Sequence, residues 1–264
     1  MSDVQGRPSS TMSTQRRYGI AISVALILGG VYWALTGLTE GTKSGQQSYQ
    51  VQGDSLLVKG GAAKVDIQPG DGTELKVDRQ FDRNVFGSDP KESYDAGDST
   101  LELKSGGCGF LSFGCKTSYV LTVPRGVHLR VESSSGDVTV TGLPGGADLK
   151  TSSGDIDVHD VGGPLSLRSS SGNLSGDGLT ATSVTTASSS GGSTLDFTVA
   201  PQSVEAKSSS GDVEIRIPSG DESYKVDTTT SSGDESANVK IDPNATRTIK
   251  AKTSSGDVSI EYNH

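Results

Sequence analysis

Through the second half of the chain, apolar and polar residues alternate with a period of two, and a recurring S-S-G tripeptide sets the phase. Its glycines are Gly136, Gly154, Gly172, Gly191, Gly211, Gly233 and Gly256, spaced 18 to 23 residues apart. Seven residues before them stand Leu129, Ala147, Leu165, Val184, Val204, Val226 and Ile249. Two and four residues after them come pairs such as Val138/Val140, Ile156/Val158 and Val258/Ile260. The positions between are mostly charged or hydroxylated. Alternation of this kind puts successive side chains on opposite faces of a strand. A repeat near 20 residues signals a stacked array.

Each repeat therefore reads as strand, S-S-G-D turn, strand, second turn. Gly and Pro mark the second turns at 142–148, 161–164, 218–222 and 242–245. The S-S-G glycine is expected to take positive φ, which is cheap only without a Cβ. One strand–turn–strand unit cannot bury its apolar face alone. Stacking such units about 4.8 Å apart buries a thin continuous core and pairs the backbone groups. Leu143, Val161 and Leu179 add apolar residues at the second corner. In the fourth and sixth repeats polar residues take inward positions (Thr186 and Ser193; Thr228 and Glu235), which predicts an irregular ladder there. The chain reaches His264 directly after the strand VSIEY. That predicts an open β-edge and self-association through the C-terminal coil.

Before the repeats the pattern is less regular. Short alternating runs at 56–59, 64–67, 74–77, 100–104 and 119–123 predict strands of irregular coils or of a small cap. Two loops interrupt them, one at 82–99 and one carrying the cysteines. Further upstream, YGIAISVALILGGVYWALTGL (18–38) is uncharged and long enough to span a bilayer as a helix. Arg7, Arg16 and Arg17 precede it, so the N-terminus is expected inside and the rest outside.

The expected fold class is all-β: a parallel β-solenoid or β-roll of about seven S-S-G-D coils with irregular N-terminal strands, preceded by one transmembrane helix. The expected layout is a cytoplasmic tail (1–17), a transmembrane helix (18–38), a flexible tether (39–48), irregular β coils or a cap (49–126) and the repeat region (127–264).

Composition changes this picture in two ways. Hydrophobic content is 31%, aromatic content 5%, and there are 35 glycines. Those values suit a disordered chain, but disorder gives no reason to hold one parity through seven repeats. The net charge is −9, and no basic stripe with interleaved aromatics occurs, which excludes nucleic acid as a partner. Cys108 and Cys115, in CGFLSFGC, are expected to form a disulfide if this part is exported. Phe110, Leu111 and Phe113 at the tip of that loop either dock a partner or fold back over the open end of the stack.

The stretch YVLTVPRGVHLRVESSSGDVTVTGLPGGADLKTSSGDIDVHDV (119–161) resembles the bacterial putative-adhesin family of β-strand repeat domains. In that family a strand ending in Pro-x-Gly, here Pro124-Arg125-Gly126, leads into S-S-G-D-V coils joined by G-L-x-G turns. The likeness extends over about 119–262. It implies an envelope-associated β-solenoid and brings no catalytic residues with it.

Four constellations are candidates for chemistry. Asp137, Asp155, Asp212, Asp234 and Asp257 would stack along one edge, either as oxygen ligands for Ca²⁺ or as acceptors for their own turns. His128 and His159 read as surface residues, since a hydrolytic site needs a convergent Ser and acid. Arg130, Arg168 and Arg216 would have to converge with carboxylates to serve a polysaccharide-active enzyme. The aromatic cysteine loop is the fourth. No cofactor is implied. The expected function is a membrane-anchored, extracytoplasmic, non-enzymatic adhesion, binding or scaffold module of the cell envelope. Its partner would be a protein or an envelope glycan. The alternatives are an envelope-stress or regulatory accessory and a polysaccharide-active enzyme.

Overall fold

The computed structural model describes residues 42–82, 89–106 and 116–263. The segments 1–17 and 18–38, the cysteines 108 and 115, and the tip residues 110, 111 and 113 lie outside the described residues. Every element among the described residues is a strand, and no helix there is long and apolar enough to cross a membrane.

Seven strands precede the repeats: β1 (Thr42–Gln50), β2 (Ser55–Gly61), β3 (Lys64–Gly70), β4 (Glu74–Asp82), β5 (Lys91–Asp95), β6 (Thr100–Lys104) and β7 (Thr117–Pro124). The repeats supply seven strand pairs. The first five are β8 (His128–Ser133) with β9 (Val138–Thr141), β10 (Ala147–Lys150) with β11 (Ile156–His159), β12 (Leu165–Ser169) with β13 (Leu174–Leu179), β14 (Ser183–Ser188) with β15 (Ser193–Phe197), and β16 (Ser203–Lys207) with β17 (Val213–Ile217). The last two are β18 (Tyr224–Thr229) with β19 (Glu235–Ala237), and β20 (Arg247–Lys252) with β21 (Val258–Tyr262).

The first strand of each pair joins one sheet and the second joins the other. Within each sheet consecutive repeats run parallel and in register, Ala147 lying between Leu129 and Leu165, and Ile156 between Val138 and Leu174. In every repeat but the sixth, the residues seven and five before the glycine, and two and four after it, fill the space between the sheets. Leu129, Val131, Val138 and Val140 are all fully buried. Phe197 fills the second corner beside Leu179 across a bulge after Gly176. Fully burying one such Val, Leu or Phe side chain contributes about 1.5–3 kcal/mol.

The stack does not follow chain order at either end. At the C-terminal end β20 pairs with β16 on one side and β18 on the other. Likewise β21 lies between β17 and β19. The chain therefore skips one place after Ile217, builds the outermost coil from β18 and β19, and returns to fill the gap. The N-terminal end mirrors this. β2 sits between β6 and β8, and β3 between β7 and β9, all parallel. Antiparallel β4, β1 and β5 then close that end.

This order corrects two expectations. The C-terminal coil is internal, so it offers no open edge for self-association. The fourth repeat keeps the irregularity expected of it, a bulge where β15 pairs with β13, while Ser193 Oγ donates to Thr186 Oγ1 at 2.7 Å inside the core. The sixth repeat is polar because it is the end of the stack. There Glu235 is exposed and accepts hydrogen bonds from Thr228 Oγ1 (2.8 Å) and the Thr230 N–H (2.9 Å). A charged residue at an inward position of the last rung blunts the edge against further pairing. The N-terminal part also differs from its expected layout. Residues 42–48, placed in a tether, belong to β1, and the loop at 82–99 contains β5. β2–β3 and β6–β7 are full parallel coils, because their runs share the inward parity of the repeats. An ion pair between Arg79 and Glu92 (2.6 Å) with Tyr49 stacked on Tyr94 (centroids 4.9 Å apart) ties the closing strands together.

Arg79→Ala leaves Glu92, only 7% exposed at its side chain, without its cation. It should cost about 3 kcal/mol in urea unfolding. The two hydrogen bonds hold the Glu235 carboxylate below the usual glutamate range. Its contribution is complete above that range and is lost as pH falls through the lowered value. Glu235→Val should expose an apolar rung and produce concentration-dependent association in sedimentation, with the parent chain as reference.

Candidate functional site

The repeated corner is built from five successive positions. The residue three before the glycine is always Ser or Thr, and its hydroxyl points into the stack. Ser169 Oγ accepts the Gly172 N–H at 2.7 Å, and Ser188 Oγ accepts the Gly191 N–H at 2.8 Å. Ser208 Oγ accepts the Gly211 N–H and donates to the Gly191 carbonyl of the neighbouring coil, both at 3.0 Å. The hydroxyl thus closes its own turn and ties it to the next rung. Its signal is present in the sequence as a constant Ser or Thr ahead of S-S-G.

The glycine follows from close approach. A Cβ on Gly154, Gly172 or Gly191 would overlap the carbonyl of the preceding corner glycine. Positive φ occurs only at Gly233 (151°) and Gly256 (145°) among the seven corner glycines. The expectation of positive φ throughout is corrected: stacking distance excludes a side chain here.

The residue after the glycine forms a second ladder. Asp137 Oδ1 accepts the Asp155 N–H (3.0 Å), and Asp155 Oδ1 accepts the Asn173 N–H (2.7 Å). Asn173 Oδ1 accepts the Gly192 N–H at 3.0 Å. Gly192 has no side-chain acceptor, so the ladder breaks there and resumes with Asp212 to Asp257 (2.9 Å) and Asp257 to Asp234 (2.8 Å). These carboxylates serve the neighbouring coil, which corrects the expectation that each bonds its own turn. Among the described residues no group of three or more His, Cys, Asp or Glu is arranged to hold a metal ion.

The two serines before the glycine are exposed in every repeat, from Ser134–Ser135 to Ser254–Ser255. On one side of them runs a mostly basic column, four residues before the glycine in the repeats. Thr229, Lys252, Lys207, Ala187, Arg168, Lys150, Glu132, Lys59 and Glu102 are successive neighbours in it. On the other side runs the Asp column. Two open grooves, of about 660 and 240 Å³, lie along this corner and share Lys150.

The two sheet faces differ in charge. The outer face of the second-strand sheet carries Asp157, Asp177, Asp196, Glu214 and Glu261, with Arg216 bonded to Glu214 and Glu261. Partial burial and the nearby Asp155 push the Asp157 carboxyl up. On the first-strand sheet, Lys207 bonds Glu205 and holds its carboxyl below the usual range. His128 approaches Asp148 at 3.3 Å, and His159 approaches Asp177 at 3.8 Å on the opposite sheet. Arg130 and Arg168 lie on one sheet and Arg216 on the other, so the three do not converge. Tyr119, buried behind the N-terminal coils, donates to the Lys104 carbonyl (3.2 Å), and burial pushes its hydroxyl up to about 12.

The sequence profile of the Toastrack DUF4097 family matches residues 54–264. The chain belongs to that family. Among curated proteins none matches it. Several solved bacterial structures are similar. A "putative cell adhesion protein" from Clostridium sporogenes is 11% identical over 84% of this chain and 100% of its own, with a TM-score of 0.41. A "putative adhesin" from Bacteroides fragilis is 15% identical over 84% of this chain and 97% of its own, with a TM-score of 0.42. A "putative lipid binding protein" from Parabacteroides distasonis is 13% identical over the same shares, with a TM-score of 0.46.

Asp155→Asn keeps the acceptor that Asn173 already supplies in this chain and should leave stability within about 0.5 kcal/mol of the parent. Asp155→Ala removes it and should cost about 1 kcal/mol in the same denaturation experiment. Chelator should change neither melting temperature, because the ladder is held by hydrogen bonds.

Proposed function

We propose that the chain is a membrane-anchored, extracytoplasmic binding module of the bacterial cell envelope that works by adhesion and not by catalysis. The observation that carries this reading is the corner itself. The same two exposed serines recur on each of the seven repeat rungs and form a straight column along the stack. A surface of that kind suits an extended partner touched at many points, with affinity summed over weak contacts.

The anchor is the uncharged segment 18–38, which stands four residues before β1. Arginines before it favour an inside N-terminus. β1 then starts close to the bilayer and presents the closed N-terminal end of the stack to the membrane. In an oxidising exterior Cys108 and Cys115 would be joined.

The test uses cells expressing the full chain. Protease added to spheroplasts should digest the β-region while a fragment containing 18–38 stays with the membranes. Purified full chain in detergent should sediment with isolated cell envelopes. Protection from external protease would refute the topology. Absence of envelope binding would refute the adhesive role.

A further inference from the structure

We infer that the corner ribbon binds an extended, carboxylated glycan lying along the stack axis, which rests on the adhesive reading above and adds a ligand class to it. The ribbon has three parallel strips: cations on one side, paired serines in the middle, aspartates on the other side. Each strip advances by one rung, about 4.8 Å, close to the length of a sugar ring in an extended chain. Lys150 and Arg168 are exposed on successive rungs of one column, Lys207 and Lys252 continue it beyond Ala187, and the two grooves meet at Lys150; on the N-terminal side Glu132 interrupts the column before Lys59.

The charge layout selects among polyanions. The basic strip is one residue wide. The next outward column of the same sheet is mixed, with Arg130, Asp148, Glu205 and Lys250. A flat anionic membrane needs a broad basic face, so a line of cations suits a linear polymer better. In the far strip Asp137, Asp155, Asp212 and Asp257 each spend Oδ1 on the neighbouring rung, which leaves Oδ2 as an acceptor. A polymer with acid groups on both edges would be repelled there. A glycan with carboxylates on one edge and hydroxyls on the other meets Lys and Arg with the first and donates to Asp with the second. The serine hydroxyls between can both donate and accept.

The experiment is affinity electrophoresis of the full chain in detergent through gels containing polygalacturonate, polyphosphate at equal charge, or neutral dextran. Polygalacturonate should retard the chain, and added salt should weaken the effect. K150E/R168E should reduce that affinity by roughly tenfold or more, since it puts like charge against the carboxylates. T141E/T194E, which also adds negative charge but on the opposite sheet, should leave it unchanged, and both variants should keep the parent circular dichroism spectrum. Equal binding by K150E/R168E and the parent would overturn the inference. So would tighter retardation by polyphosphate, or retardation by dextran equal to that by polygalacturonate. If K150E/R168E still sediments with envelopes as the parent does, the ribbon assignment fails while the adhesive function stands.

Discussion

The spacing between rungs at the S-S-G corner governs this molecule. At that point the backbone of one coil lies so close to the carbonyl of the next that a single methyl group would not fit. Everything else about the corner follows from the approach. The inward hydroxyl bonds the turn amide, and Asp or Asn takes the amide of the adjacent rung. Because the corner repeats, these polar contacts run as continuous lines beside a thin apolar interior. Each bond contributes only about 1 kcal/mol, but a repeat array sums its neighbour terms.

Much of this is legible in the amino-acid sequence. The parity of Leu129, Val131, Val138 and Val140, repeated down the chain, marks the inward positions, and a strict period of two has only one geometric meaning. What the parity cannot convey is the order in which rungs stack. Adjacent rungs present nearly the same inward pattern, so Ile249 fits beside Val204 as well as Val226 would. The clue lies in length. The repeats lengthen from 18 residues to 22 and 23 toward the end, and the added residues let the chain step past one rung and come back. The polar inward residues of the sixth repeat, which look like defects, are the signature of an end rung.

The corner itself is legible in composition but not in mechanism. Gly, Ser and Asp are ordinary turn residues, so positive φ and local hydrogen bonds are the natural expectations. The inward hydroxyl keeps a local partner, but the aspartates bond the adjacent coil and close stacking takes the place of positive φ at five of the seven corners; a contact between residues 18 apart leaves no trace in a local pattern. The cation column is hidden for the same reason. Lys150, Arg168 and Lys207 are scattered in sequence among acidic neighbours, and only the register lines them up. An overall charge of −9 conceals a molecule with one line of basic groups.

The interchange of rungs at the C-terminal end has a consequence for how the chain is assembled. β18 and β19 leave the growing polypeptide before the rung they must rest on exists. They have no place to dock until β20 and β21 have been made and threaded in beside β16 and β17. The N-terminal end carries no such delay: β6 and β7 find β2 and β3 already made and close over them, and β8 and β9 take the other side. The array can therefore grow rung by rung as far as β17 but not to its far end. The outermost layer there acts as a clasp fastened over an inserted neighbour, and it shuts only when the final strand has arrived.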